Sequence, residues 1–526
     1  MGLTIPYFEE FYIQKVKRLE VIKQIEDRKI TEEDIKKVEK EIIDYFNKLH
    51  LNKLSTRQEI IEAIEREENG EAIEDREIKD LKLAFLDALK DRNTPKATEL
   101  IVDYILKRKK IYTTKDDLKT EMWVYEMGIY VPQGKSEVRK IMRKILGEYF
   151  NAYYYNLVIN KLEPDTFIDS DVFFGQNYVD EIAVKNGILN LDTRELGPFN
   201  PSKIFFSKIN AEYDPEARCP LIDKFLRGVL SEEEDRKVIY ELGGFCLWKE
   251  YTYEKAFMFV GNGRNGKDKT LELLKRLVGV DNCCSVPLSS IVPESFIVSE
   301  FFQKMINLSG EINNKDLRDP SMFKALTGRS LLSAQRKFLR PVTFVNYAKF
   351  VFACNELPMV YDNSRGFWDR WVLLEFPFTF VSEEELEKAE DKSKLKLRDE
   401  DIIDKITSEK EMSGLLNAFL DGLDRLRDNR DFSTTKGSDE VKNTWIRKSN
   451  SVMAFAMSQL EGDYESVILK REFRKKYIDY CKEHKVLPRS DTVIKRTLED
   501  LFGVSEGRKE NLGKFERIWE GIKWKR

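Results

Sequence analysis

The chain has 526 residues, 35% of them charged, with 89 Lys+Arg against 93 Asp+Glu and a formal net charge of −4. That length predicts three or four domains with sizeable cores, and the charge balance excludes a globally basic nucleic-acid binder, so any basic surface is local. Six cysteines without paired metal spacing and only two histidines, His50 and His484, argue against a zinc finger or zinc ribbon.

Residues 1–110 read as a helical N-terminal region. Thr31 with Asp34 resembles a capping box, and Ile35, Val38, Ile42, Phe46 and Leu49 form one apolar stripe of the kind that lines a bundle. No apolar run reaches membrane-spanning length, which predicts a cytoplasmic protein with no membrane partner. From 111 to 215 the texture changes to short strands and turns. WVYEMGIYVPQG alternates aromatic residues, 135–150 reads as an amphipathic helix, and NGILNLDTREL reads as a hairpin around Asp192-Thr193-Arg194. Asp169 and Asp171 form an isolated D-x-D, which reads as a cap before Val172-Phe173-Phe174 rather than a metal site. Helices return from Cys219, through PLIDKFLRGVL and DRKVIYELGGFCLW.

The stretch Ala256–Gly279 organises the rest. Ala256 to Val260 is an apolar run of strand length, and Leu271, Leu273, Leu274 and Leu277 recur at helical spacing beyond a glycine-rich segment. Strand, glycine-rich loop and helix form the context of a phosphate-binding loop. Gly261-Asn262-Gly263-Arg264-Asn265-Gly266-Lys267 completes G-x-x-x-x-G-K. The glycines let successive amides turn into one concavity, the helix start adds its positive dipole end, and Lys267 adds a full charge for the outer phosphates. Asp268 stands where the pattern has a Ser or Thr hydroxyl for magnesium. Lys269 and Thr270 follow, but Thr270 is about 200° around the helix from the required position. Either Asp268 joins the metal shell, replacing an acid missing at Gly310, or it turns away and marks a slow ATPase.

Met305, Ile306 and Leu308 predict a buried strand ending at Glu311, one strand away from the loop. A carboxylate there can orient and deprotonate an attacking water, although an ordinary strand-end acid looks the same. The block FKALTGRSLLSAQRKFLRPVTF carries Lys324, Arg329, Arg336, Lys337 and Arg340, with Phe338 among them. It reads as a channel that tracks a phosphate backbone, or as a solvated basic face. Phe350 to Cys354 predicts a strand leading to Asn355, whose amide can hold a nucleophilic water or simply form a turn. Arg370 leads into another apolar strand, from which it can reach a neighbouring subunit's ATP site, with Arg365 as its rival.

Residues 383–401 form a mixed-charge run that reads as a solvated helix or connector, and MSGLLNAFLDGLDRL reads as an amphipathic helix and plausible lid. From about 456 the order is helix (Lys470 to Glu483), turn at Pro488, helix (Asp491 to Phe502) and a Gly-punctuated strand pair. That is the winged-helix pattern, with Lys495, Arg496, Lys523, Lys525 and Arg526 available to DNA or to a protein partner.

The motif order closely resembles superfamily 3 helicases, and more narrowly the poxvirus and phage/plasmid primase–helicase branch. Residues 111–385 carry the likeness and 1–110 lie outside it. The resemblance implies an α/β fold: a P-loop AAA+ core at 216–385, a family-type domain before it at 111–215, a helical lid or connector at 386–455 and a winged helix at 456–526. It implies ATP and Mg2+ as cofactors, with Asp268 and Glu311 near the metal. Glu311 would be the general base, Asn355 would sense the γ-phosphate, and Arg370 would act in trans within a homohexameric ring. Such a ring translocates along single-stranded DNA to open duplex DNA during replication of a virus or plasmid, beside a separate primase or polymerase. The alternatives are an origin-binding or scaffold ATPase with weak turnover, or an RNA-directed ATPase.

Overall fold

The computed structural model describes residues 76–115, 119–176, 178–291, 295–310, 319–337, 339, 341–360, 362, 364–484, 486–511 and 514–525. The stripe from Ile35 to Leu49, Glu311, Phe338, Arg340 and Arg526 lie outside the described residues. The chain divides into two compact units, Met1–Arg108 with Val138–Leu162, and Lys109–Glu137 with Glu163–Arg526.

The described part of the first unit is helical. Phe85, Ile101, Ile105, Met142, Leu146 and Val158 are buried in it, and the Phe85 and Tyr154 rings meet edge to face at 5.3 Å.

The second unit is built around a parallel sheet. Its elements in chain order are α1 (Pro220–Val229), α2 (Glu233–Leu247), β1 (Ala256–Val260), α3 (Lys267–Val278), β2 (Cys283–Cys284), β3 (Ile306–Ser309), β4 (Lys349–Cys354), β5 (Trp371–Glu375) and α4 (Glu409–Asn429). Every residue of β1, β3 and β4 is buried, the continuous burial expected of parallel strands covered on both faces. The spatial order is β5-β1-β4-β3-β2 with all pairs parallel. Val260 lies in register with Cys354 and with Glu375. The loop after β1, Asn355 after β4 and Glu375 at the end of β5 therefore share the carboxyl edge of the sheet. Ligands of open parallel sheets bind at this edge.

The stretch read as a lid is α4, and it is a core helix. Its Leu415, Leu416, Phe419, Leu420, Leu423 and Leu426 are all buried. A Cβ added at Gly243 of α2 would lie 2.2 Å from the Phe419 ring, and one at Gly422 would lie 2.4 Å from the Tyr240 carbonyl oxygen. Glycine at both positions is what lets the two helices approach this closely. Two buried acids tie α4 down. Glu411 accepts from the Leu221 and Ile222 amides at the start of α1, and Glu241 accepts from Arg425 at 2.7 Å.

Before the central sheet, a four-stranded sheet runs in the order Ile129–Val131, Met122–Glu126, Ile111–Thr114, Phe167–Ile168. Trp123, Tyr130 and Phe173 cluster against it. Gly187–Asn190 and Leu196–Gly197 pair as the expected hairpin, with Arg194 at φ 60° in its turn. Asp169 precedes the short helix Ser170–Phe174 without a side-chain cap bond. Between β3 and β4 the basic block folds into a helix, Ser321–Thr327, and a β-hairpin, Leu331–Ala334 paired with Val342–Val345.

The C-terminal segment runs helix Ser451–Gln459, strand Leu460–Leu469, helices Lys470–Glu483 and Asp491–Phe502, then strands Ser505–Asn511 and Lys514–Trp524. Lys514–Trp524 is the middle strand of an antiparallel three-stranded sheet. Phe455, Phe473, Tyr477, Leu498, Trp519 and Ile522 fill its core.

Candidate nucleotide site and nucleic-acid interface

The loop between β1 and α3 is shaped by its glycines. Gly266 adopts φ 87° as the residue capping α3, and a Cβ there would lie 2.4 Å from Val229 Cγ1. Gly261 must also lack a side chain, because a Cβ would lie 1.8 Å from Asn265 Nδ2. Asn262 and Arg264 are exposed on the loop, and Arg264 pairs with Glu385 at 3.0 Å. The amides at the start of α3 are free of side-chain caps, which leaves them open to an anion.

Lys267 does not extend into solvent. Its Nζ donates to Gly261 O at 2.6 Å, Asn265 Oδ1 at 3.0 Å and Asn355 Oδ1 at 3.1 Å. Burial lowers its pKa, and the Asp268 carboxylate opposes that shift. The ammonium is held by neutral oxygens that an anionic phosphate outcompetes as a partner. Thr270 is buried and its hydroxyl donates to Gly266 O at 2.9 Å, so it is not turned toward the loop's mouth. Asp268 and Lys269 are exposed. A Cβ at Gly310 would lie 4.0 Å from Asp268 Oδ1, so the carboxylate faces the place where an acid on the neighbouring segment would otherwise stand. Among the described residues no group of three or more His, Cys, Asp and Glu could hold a metal ion.

Two further cations that sequence reasoning missed converge here. Glu375, ending β5, pairs with Lys436 at 3.3 Å and with Lys448. Burial pushes the Cys354 thiol up to about 12, and Lys267 and Lys448 both oppose it. Both ammonium groups therefore lie near the end of β4. The signal was absent from the sequence because Lys436 and Lys448 lie far beyond the motifs they join.

Part of the chain matches two protein-family models, "D5 N terminal like" over 58–231 and "Family of unknown function (DUF5906)" over 259–370. It is 24% identical over 266 residues to the candidate helicase L207/L206 of Acanthamoeba polyphaga mimivirus, covering 46% of this chain and 28% of that protein. It is 26% identical over 222 residues to the candidate helicase V13 of Sputnik virophage, covering 41% of this chain and 27% of that protein. The matches thus span little more than a quarter of either relative's length. Among solved structures, the apo C-terminal region of NrS-1 aligns with 80% of this chain and 98% of its own at 15% identity and a TM-score of 0.42. The two family models and the two viral relatives support a D5-like primase–helicase family.

The DUF5906 segment contains the loop, Asn355 and Arg370, and it also contains the basic block. Most of that block is tied within the chain. Lys324 pairs with Asp362 at 2.5 Å, and Arg329 donates to the Tyr251 and Thr252 carbonyls. Arg336 makes two bonds to Glu121, at 3.0 and 2.9 Å. Lys337 is exposed at the hairpin tip. Arg370 lies at the start of β5, at the edge opposite the loop. It donates to Thr327 Oγ1 at 2.9 Å, Glu254 Oε2 at 2.7 Å and the Gly366 carbonyl, and its side chain is 14% exposed. Arg365 is 91% exposed and contacts Asp369 only at 3.6 Å.

In the C-terminal segment, Lys495 lies 3.7 Å from Glu499 and from Glu506, and Arg496 lies 3.9 Å from Asp500. Lys523 pairs with Glu461 and Asp463. Lys495, Arg496 and Lys523 thus each have a nearby carboxylate, whereas Lys525 donates to the Met457 carbonyl. No helix among the described residues is long and apolar enough to cross a membrane.

Proposed function

We propose that this chain is the motor of an ATP-dependent DNA helicase of superfamily 3 type, built on a P-loop AAA+ core and assembling as a homohexameric ring. The convergence of Lys267, the glycine loop and Asn355 at one edge of a parallel sheet supports this reading most directly. ATP-Mg2+ supplies the phosphoryl group to be transferred and the divalent charge that balances it. Lys267 exchanges its loop and amide oxygens for outer-phosphate oxygens. Released from Lys267, Asn355 turns its amide toward the γ-phosphate and the attacking water. Glu311 takes that water's proton, and Asp268 would hold the Mg2+, whose charge would offset that of the phosphates.

The trans arginine is Arg370 or Arg365, and exposure favours Arg365, since Arg370 is engaged by its own subunit. Lys337 grips the phosphate backbone of single-stranded DNA from the hairpin tip, and Phe338 packs against sugar or base. Lys495 and Arg496 extend the grip only if DNA displaces their carboxylate partners, so the C-terminal segment, which we read as a winged helix, serves equally as a contact for a separate primase or polymerase. The exposed Asp268 keeps a second reading open, an origin-binding or scaffold ATPase that binds nucleotide with weak turnover.

The test is ATPase activity with and without single-stranded DNA or RNA. DNA should stimulate the parent, and Lys337→Ala should remove the stimulation while basal turnover persists. Stimulation by RNA alone, or none by either, contradicts the reading.

A further inference from the structure

A second site lies away from the phosphate loop. A cavity of about 1070 Å³ opens between the aromatic cluster that precedes the central sheet and the hairpin between β3 and β4. One wall is a continuous row of rings, Phe206, Phe174, Phe302 and Phe344, with successive centroids 5.8, 5.4 and 5.2 Å apart. All four rings are half-buried, so each keeps surface toward the cavity. The Arg336 guanidinium stands 5.7 Å from the Phe174 and Phe302 rings, and its bonds to Glu121 fix it there.

The polar groups on the walls are unusual for a packing defect. Lys249 is only 8% exposed, and burial pulls its ammonium down to about 8, a shift that an arriving anion reverses. Lys115 adds a second cation. Gln303 holds a left-handed backbone at φ 58°, and its Nε2 is buried with no hydrogen-bond partner. A strained non-glycine residue presenting an unpaired amide to a cavity is the expected mark of a ligand contact. Asp169 and Asp171 add acceptors to the wall, which suit base N–H groups or sugar hydroxyls.

We propose that this cavity binds a nucleotide unit. The base stacks on the ring row, Gln303 donates to a base carbonyl or ring nitrogen, and Lys249 with Lys115 takes the phosphate. Aromatic rings facing a cavity suit a ligand with a stacking face, the buried Lys249 and the exposed Lys115 suit an anion, and the amide and carboxylates suit a polar edge. A nucleotide joins all three. Its source is a free nucleotide or one residue of a single strand. The latter is favoured because the hairpin that supplies Phe344 also carries Lys337 at its tip. That preference for a strand rests on the helicase reading, whereas the cavity itself does not.

The test uses the full chain carrying Lys267→Ala, without ATP, so that a failure of the motor reading leaves it intact. A 15-mer of thymidine with one 5-iodouracil, and separately 8-azidoadenosine triphosphate, are photocrosslinked and the adducts mapped by mass spectrometry. Adducts should fall on Phe174, Phe206, Phe302 or Phe344, with the oligonucleotide if the source is a strand and with the azido nucleotide if it is free. Gln303→Gly removes the amide while suiting the left-handed backbone, so it keeps the fold. It should weaken binding of the labelling probe about fivefold, as loss of one hydrogen bond does. Lys249→Met should weaken it similarly. Adducts confined to other segments, or parent affinity in both variants, overturn the proposal.

Discussion

Lys267 and Asn355 meet across the step from β1 to β4, Nζ to Oδ1 at 3.1 Å, although 88 residues separate them. The contact exists because the sheet places β4 directly beside β1 and ends both strands in register. In the proposed function it joins the group that would neutralise phosphate to the group that would sense it.

Removing either partner should have different kinetic consequences. Asn355→Ala should leave ATP affinity near the parent value and lower kcat about 100-fold, the usual effect of losing one transition-state hydrogen-bond donor. Lys267→Ala should lose affinity and turnover together. Equilibrium binding of a fluorescent ATP analogue beside steady-state ATPase separates the two. Equal loss of affinity in both variants would contradict the division of roles.

Asp268 and Gly310 should behave as an exchangeable pair. Gly310→Asp alone places a second carboxylate close to Asp268 and should weaken ATP binding at low magnesium, since like charges at short range repel. The double variant Gly310→Asp with Asp268→Ser should recover most of that loss. Magnesium titrations of ATP affinity in the four proteins check this. No loss in Gly310→Asp, or no recovery in the double variant, removes support for Asp268 as a metal ligand.

The two arginines before β5 should separate by stability. Arg370→Ala breaks bonds to Glu254, Thr327 and Gly366 and should cost about 1–3 kcal/mol of stability. Arg365→Ala, on a 91% exposed side chain, should leave the melting temperature unchanged and lower ring ATPase. Mixing Arg365→Ala with Lys267→Ala subunits should restore part of that activity. Recovery seen only when Arg370→Ala is the mixed partner would assign the trans role to Arg370 instead.

A buried lysine gives the core a pH dependence. Lys349 is fully buried, donates to Trp248 O at 2.8 Å and Tyr347 O at 2.7 Å, and burial lowers its pKa from 10.5 to about 7. Between those values the unfolded chain binds the extra proton, so this group's contribution to stability rises with pH from about 7 toward 10.5. Urea unfolding at pH 7 and pH 9.5 should show the parent gaining stability relative to Lys349→Met as pH rises. A constant difference between the two proteins would show that Lys349 titrates normally.

Much of the loop and its sheet was legible in the sequence because their signals are local. The apolar run Ala256–Val260, the glycines and the leucines of α3 each report their own conformation, and Leu273, Leu274 and Leu277 are buried as their spacing predicts. Signals that depend on distant partners were not legible. Arg336 reads as a DNA contact until Glu121, 215 residues away in sequence, is seen to hold it. The hairpin escaped because LLSA and VTFV are only four residues each and flank a basic tip. Helix α4 reads as a lid because its stripe is amphipathic. The glycines that bring it onto α2, Gly243 and Gly422, lie in different helices and mean little until paired.

Strand displacement is the most direct measure of the central claim, that nucleotide hydrolysis at the Lys267 loop drives separation of DNA strands. A labelled DNA duplex with a single-stranded tail, incubated with the parent protein and ATP-Mg2+, should release its short strand. Lys267→Ala assembled at the same concentration should release none. Displacement by Lys267→Ala at the parent rate, or an intact parent ring that hydrolyses ATP yet displaces no strand with either tail polarity, would contradict the account.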